Sequence, residues 1–223
     1  MAHEFFHPDM KLFIDHRVDW ARYFHLLRGA DADLEAEVDT YRSILSTCGD
    51  ICEDIEAGAL DHWHEEVRLE NGKVVVPPHI AAGYDKLRGA GLVCLTLSPD
   101  YGGFGLPILL NSHYLEMVSR ADTSLMTILG LQAGVAGDIQ KYGNDELKQR
   151  YLPRFASGEL QGCMDLTEPQ AGSDLGAIQT RATLVDGGWV INGAKTFITN
   201  SGTEVTGPVV LAAVTGRKPD GRS

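Results

Sequence analysis

Apolar positions in the first half of the chain recur at helical spacing. Leu34, Val38, Tyr41, Leu45, Cys48, Cys52 and Ile55 are separated by alternating fours and threes. That spacing puts one apolar stripe on a helix over about residues 33–57. Gly58 stands where a helix-terminating glycine belongs. Trp20, Phe24 and Leu27 predict a shorter helix before Gly29. Asn71-Gly72, between Arg68-Leu69 and Val74-Val75-Val76, is a two-residue hairpin signal. Pro77-Pro78 opens a helix to about Arg88. Leu92 to Leu106, broken by Pro99, Gly102, Gly103 and Gly105, reads as loop. Pro107 opens a helix ending near Arg120. Asp122, Thr123 or Ser124 caps the next, which runs to Tyr142 and stops at Gly143. Asn144 caps a last short helix toward Tyr151, and Pro153 breaks or restarts it.

After Gly158 the period becomes two. Strands are expected near 161–167, 178–185, 188–193, 194–199 and 208–215, with Asp186-Gly187-Gly188 as a hairpin turn. Glycine follows the same division: 4 of the 25 lie before residue 83 and 21 from there on. Helices first and strands afterwards predict an α+β fold. An all-α helical domain over 1–158 is followed by the start of an antiparallel, β-barrel-like domain over 159–223. Lys218-Pro219-Asp220-Gly221 is a turn that should lead into a partner strand. The chain therefore reads as the N-terminal part of a longer protein.

Composition narrows the function. With 19 basic and 31 acidic residues the net charge is −12, which disfavours nucleic acid and anionic membranes as partners. Hydrophobic content of 43% and charged content of 22% are those of a globular protein. No run reaches the ~18 apolar residues of a membrane span. The charged N-terminus lacks the apolar centre of a signal peptide. Four cysteines are too few for a disulfide scaffold of this size. A soluble, cytoplasmic protein with reduced thiols is expected.

Several chemical leads are weak. Cys48 and Cys52 fall on the apolar stripe and read as core, not as metal ligands. His62-x-His64 beside Glu65 and Glu66 lacks a complementary cluster. Gly102-Gly103-Phe104-Gly105 lacks the spacing and context of a phosphate loop. Ser112-His113 and Ser173-Asp174 have no nucleophile elbow to support hydrolase chemistry. The acidic runs at 31–37 and 52–56 read as solvated helix faces. Gly130, Gly134 and Gly137 lie at i, i+4 and i+7, a face without bulk that another helix or a ligand can approach closely.

One segment stands out: Cys163-Met-Asp-Leu-Thr-Glu-Pro-Gln-Ala-Gly-Ser-Asp-Leu-Gly176. An apolar strand runs into a kinked turn flanked by hydroxyls and carboxylates. Its amides could converge on an anionic group as a nest, with Thr167 and Ser173 as hydroxyl donors. Phe197-Ile-Thr199-Asn-Ser-Gly202 offers an aromatic face and another hydroxyl. Together they describe a site for a flat, polar-edged ligand carrying a phosphate. A plain hairpin and turn accounts for the pattern equally well.

The same segment closely resembles the first signature of the acyl-CoA dehydrogenase family, a strand ending in Thr-Glu-Pro followed by Gly-Ser-Asp. Lys195-Thr-Phe-Ile-Thr-Asn200 is similar to that family's second flavin-contact strand. Tyr101-Gly102-Gly103-Phe104-Gly105, Tyr142-Gly143 and Tyr151-Leu-Pro-Arg-Phe-Ala-Ser-Gly-Glu159 resemble further family segments in the same order. The N-terminal lead with Asp9-Met10-Lys11-Leu12-Phe13 is similar to the larger bacterial members.

The resemblance implies a helical domain, a β domain and a C-terminal helical bundle that is absent from this chain. It implies FAD between the β domain and the bundle, and an acyl-CoA substrate. Its chemistry is loss of the α-proton to a glutamate and of the β-hydrogen as hydride to flavin N5. It implies an electron-transfer flavoprotein as acceptor and a homo-oligomer. Carried over by position, Met164, Leu166, Thr167, Gly172, Ser173, Phe197, Ile198 and Thr199 are the expected FAD contacts, and Ser173 also a substrate contact. The family's catalytic glutamate belongs to the bundle. No catalytic residue and no metal are expected here, and the chain alone should be inactive. Glu168 and Asp174 read as structural. Asp165 stands where the signature has a small residue, and faces either the flavin or a cation in the first domain. An acyl-CoA oxidase, a flavin monooxygenase or a non-catalytic module of the same fold are the alternatives.

Overall fold

A computed structural model describes residues 4–28 and 33–216. Seven helices come first among them: α1 Pro8–His16, α2 Trp20–Arg28, α3 Leu34–His62, α4 Pro78–Gly89, α5 Ile108–Ala121, α6 Thr123–Tyr142 and α7 Asp145–Ala156. A hairpin of β1 Arg68–Glu70 and β2 Lys73–Val75 interrupts them. β3 Gln161–Asp165, β4 Arg181–Val185, β5 Gly188–Asn192 and β6 Thr206–Leu211 follow. The C-terminal turn at 218–221 lies outside the described residues.

Local chemistry explains most boundaries. The Asp33 carboxylate accepts the Ala36 amide at 3.2 Å and starts α3. Val38, Tyr41, Leu45, Cys48, Cys52 and Ile55 are buried as the stripe requires, whereas Leu34 is exposed. α3 passes through Gly58 and ends at His62, one turn beyond the expected stop. A mid-helix glycine costs about 1 kcal/mol, less than the backbone bonds of the added turn return. Asn71 and Gly72 have φ of 52° and 78°, the left-handed pair of a tight hairpin. The prolines open α4 and α5 as expected. α7 runs through Pro153 to Ala156. Sequence pattern did not single out α1. It buries Met10 and Ile14, and the Phe5–Phe6 lead beside it packs on Gly49 of α3.

α6 is the element on which the β region rests. Asp122 caps it, accepting the Ser124 amide at 2.8 Å and the Leu125 amide at 3.0 Å. Removing the cap with Asp122→Ala should cost about 1–2 kcal/mol. A urea titration should show a lower midpoint at unchanged slope, with Asp122→Asn close to wild type. One turn before Val135, Gln132 accepts the Tyr84 hydroxyl at 2.9 Å and donates to the Phe155 carbonyl at 3.3 Å. This buried link ties α4, α6 and the end of α7. Burial pushes the Tyr84 phenol up to about 12.

The β region departs from expectation in pairing and extent. β4 and β5 form the expected antiparallel hairpin around Asp186-Gly187. β3 and β6, however, pair in parallel. The ladder skips between Gln161↔Thr206 and Cys163↔Val209, leaving Gly207 and Pro208 opposite Gly162. A bulge of this kind admits a proline that a regular ladder would reject. Residues 194–199 are not a strand. Phe197 and Asn200 have φ of 56° and 65°, and left-handed residues break the two-residue repeat.

Among the described residues, no other helix packs on the glycine face of α6. A Cβ at Gly130 or Gly137 would meet nothing within 4 Å, and one at Gly134 would meet Met164 Cε at 3.6 Å. Among the described residues no helix is long and apolar enough to cross a membrane.

Candidate functional site

β3 lies directly on α6. A Cβ at Gly162 would stand 2.7 Å from Val135 Cγ1, so this contact closes only because residue 162 has no side chain. Met164 faces the same way, into the small apolar cluster of Val135, Ala136, Leu152 and Phe155. Alternation turns Cys163 and Asp165 to the other face. There the Cys163 thiol points to Asp165 Oδ1 at 3.7 Å. Burial and the Asp165 charge push the Cys163 thiol up. Asp165 is half-buried, and among the described residues no cation pairs with it. Of its two expected settings, the paired one is therefore not found.

Beyond β3 the chain folds back on itself. Glu168 and Ala171 exchange two backbone hydrogen bonds, at 2.9 and 3.0 Å. The Glu168 carboxylate is buried yet accepts four donors. They are the Gln170 amide nitrogen at 2.6 Å, the Gln179 N–H at 2.7 Å, the Thr180 N–H at 2.9 Å and Lys195 Nζ at 2.9 Å. Burial alone would raise its pKa. Its contacts with Thr180, Gln179 and Lys195 outweigh that and hold it well below the usual carboxylate range. Lys195 Nζ also donates to the Leu166 carbonyl at 2.9 Å. Next to it, the Thr196 amide donates to the Thr167 carbonyl at 3.0 Å.

These contacts bring together two segments far apart in sequence. Thr167 on one side and Phe197, Ile198 and Thr199 on the other flank the Thr196–Thr167 bond. Phe197 is 91% exposed. Ile198 and Thr199 line a cavity of about 430 Å³ whose other walls include Val74, Val76, Ile80 and Ile128. Met164, Leu166, Thr167, Gly172 and Ser173 do not line it. Gly172 and Ser173 are exposed. No residue from 163 to 176 has a left-handed φ, so the alternating conformation that makes a nest is not present there.

The loop after Thr199 is pinned from two directions. Asn200 Nδ2 donates to the Gly162 carbonyl at 3.2 Å, and the Thr206 hydroxyl donates to the Asn200 carbonyl at 2.8 Å. The Val74 amide donates to the Gly202 carbonyl at 2.9 Å. Sequence pattern missed Lys195 and Asn200 as organising side chains. Asn200 had one available signal, since asparagine tolerates the left-handed region better than most residues.

The weaker leads resolve simply. Cys48 and Cys52 are buried with sulfurs 3.8 Å apart. His62 pairs with Glu65 at 3.0 Å and stacks on His79 with ring centroids 6.2 Å apart. Among the described residues no three His, Cys, Asp or Glu side chains are placed to hold a metal. Ser112 donates to the Ile108 carbonyl in its own helix and is not paired with a histidine.

Comparison with known proteins gives this arrangement its class. Residues 46–159 match the acyl-CoA dehydrogenase N-terminal domain and residues 163–223 the acyl-CoA dehydrogenase middle domain. The chain belongs to the acyl-CoA dehydrogenase family. It is 32% identical over 214 residues to 3-methylmercaptopropionyl-CoA dehydrogenase of Ruegeria pomeroyi, covering 95% of this chain and 36% of that protein. The structure of butyryl-CoA dehydrogenase from Megasphaera elsdenii is similar with a TM-score of 0.67 at 26% identity, over 82% of this chain and 46% of that one. An acyl-CoA dehydrogenase from Bacillus anthracis complexed with FAD is similar with a TM-score of 0.60 at 27% identity, over 82% of this chain and 30% of that one. The chain thus spans less than half the length of each of these relatives.

Proposed function

We propose that the protein expressed from its whole reading frame is an FAD-dependent acyl-CoA dehydrogenase, and that residues 1–158 and 159–223 are its helical domain and part of its β domain. The observation that carries this reading is the hydrogen bond from the Thr196 amide to the Thr167 carbonyl. It makes one site of two segments that each supply a hydroxyl and, in Phe197, an exposed aromatic face.

The residues present fit a flavin. An aromatic ring in solvent, hydroxyls at Thr167 and Thr199 and an adjoining apolar cavity match a flat ring with polar edges. Thr167, Phe197, Ile198 and Thr199 would hold that ring, with Met164 on β3 and Leu166 just beyond its end supporting it. Gly172 and the exposed Ser173 would meet the pyrophosphate, and Ser173 the acyl-CoA as well. When bound, FAD supplies the acceptor for the β-hydride. This chain's part is to orient that group and exclude water from one side of it. The proton acceptor, the electron-transfer flavoprotein that reoxidises the cofactor and assembly into a homo-oligomer complete the proposal.

The purified protein should be yellow, and one class of acyl-CoA thioester should bleach it when oxygen is excluded. A colourless protein that takes up no added FAD would overturn the reading. Rapid reoxidation by oxygen after bleaching would move it to an oxidase.

A further inference from the structure

Three stretches of backbone, 166–168, 179–180 and 195–196, meet at the Glu168–Lys195 ion pair, whose side chains are 2% and 7% exposed. Lys195 Nζ reaches both the Leu166 carbonyl and Glu168 Oε1 at 2.9 Å. Glu168 in turn holds the amides of Gln179 and Thr180 at the approach to β4. The Thr196–Thr167 bond lies immediately beside Lys195. Residues 194–199 have no strand ladder to fix them. The Thr196–Thr167 backbone bond and the Lys195 ammonium hold the start of this segment against the end of β3, and Asn200 Nδ2 on the Gly162 carbonyl holds its far end.

A single backbone hydrogen bond leaves a segment free to twist about it. A second tether, one residue away and directed at a different carbonyl, removes that freedom. Phe197 needs such restraint, because it is held at φ 56° with its ring in solvent. A non-glycine residue persists in that region only when its surroundings over-determine it.

From this we infer that Lys195 is a positioning residue of the site. By bridging the Leu166 carbonyl and the Glu168 carboxylate, it holds Thr167 and the 197–199 segment in the one relative arrangement that binds the flavin productively. Glu168 neutralises the buried ammonium and anchors it. The inference rests on the flavin reading above and assigns the ordering of that site to a residue that itself need not touch the ligand.

Stability and positioning separate in a double variant. Lys195→Met alone strands a buried carboxylate, and a loss of fold would explain any defect. Lys195→Met with Glu168→Gln leaves no unpaired charge, and the glutamine's one oxygen keeps an acceptor for one of the two backbone amides, which bond to different oxygens of the carboxylate. Removing one partner of a buried ion pair is strongly destabilising because it leaves an uncompensated charge, and neutralising both avoids that cost. The double variant should therefore melt above Lys195→Met alone, which leaves the carboxylate charged and unpaired. It should nonetheless bind FAD about tenfold more weakly, the worth of one lost tether, and the bound flavin's visible band should change shape.

Wild-type affinity with an unchanged band in the double variant would overturn the inference and leave the flavin reading intact. A wild-type protein that binds no FAD would overturn the flavin reading itself. Should the double variant not fold, Glu168→Gln alone decides. That variant keeps Lys195 on the Leu166 carbonyl and should retain FAD within about threefold at a lower melting temperature. A tenfold loss there would place the ordering role in the Glu168 charge instead of in Lys195.

Discussion

Glu168→Ala should lower the apparent melting temperature of the protein by about 10 °C. Three consequences act together. The Gln179 and Thr180 amides lose their acceptor, the Lys195 ammonium is left buried without its counter-charge, and the 168–171 turn loses its anchor to β4. Glu168→Gln keeps one of the two acceptor oxygens and should recover part of the loss. A melt of Glu168→Ala within a few degrees of wild type would mean that the four contacts on this carboxylate do not limit stability.

The same carboxylate sets an acid limit. Its folded pKa lies far below the ordinary value of 4.5, so its contribution is fully present above that value. As pH falls below about 4.5, the unfolded chain takes up a proton that the folded carboxylate refuses, and stability declines. Melting curves between about pH 3 and pH 6 should show a steeper acid loss for wild type than for Glu168→Gln. Equal slopes would show that other carboxylates control acid unfolding.

What the sequence revealed and what it hid divide along one physical line. α3 was legible from its apolar stripe and α6 from the capping residues at 122–124, and the structure adds Asp33 as the cap of α3. The hairpin turns were legible because Asn71-Gly72 and Asp186-Gly187 carry their own conformational signal. The stretch 194–199 misled because Thr196-Phe197-Ile198-Thr199 alternates like a strand, while φ at Phe197 and Asn200 is set by partners elsewhere. Asn200 is held by the Gly162 carbonyl, 38 residues away. Lys195 meets Leu166 and Glu168 across 29 and 27 residues. No periodicity encodes such distances.

The candidate site followed the same division. Resemblance identified its two segments, and the Thr196–Thr167 bond joins them. The placement of Met164 on α6 and the exposure of Ser173 came only from packing. Glu168 was legible as part of a signature but not as a buried hub, because burial of a carboxylate depends on donors that the local sequence does not contain.

Gly162→Ala tests whether the seating of β3 on α6 matters beyond this one contact. The added methyl would stand 2.7 Å from Val135 Cγ1 and 2.8 Å from Val135 Cβ. Val135 is wholly buried and cannot swing away. Overpacking of this kind costs about 1–3 kcal/mol. It should also displace Met164 and the Leu166–Thr167 corner, so FAD retention through gel filtration should fall together with the urea midpoint. Val135→Ala opens a small void and is destabilising on its own. Combined with Gly162→Ala, it makes room for the new methyl, and the double variant should recover both stability and FAD retention. Residues in direct contact couple by at least about 0.5 kcal/mol in such a cycle. Strictly additive losses would show that β3 relaxes freely against α6. Recovery of stability without recovery of FAD would place the functional constraint at Gly162 itself, through its carbonyl bond to Asn200.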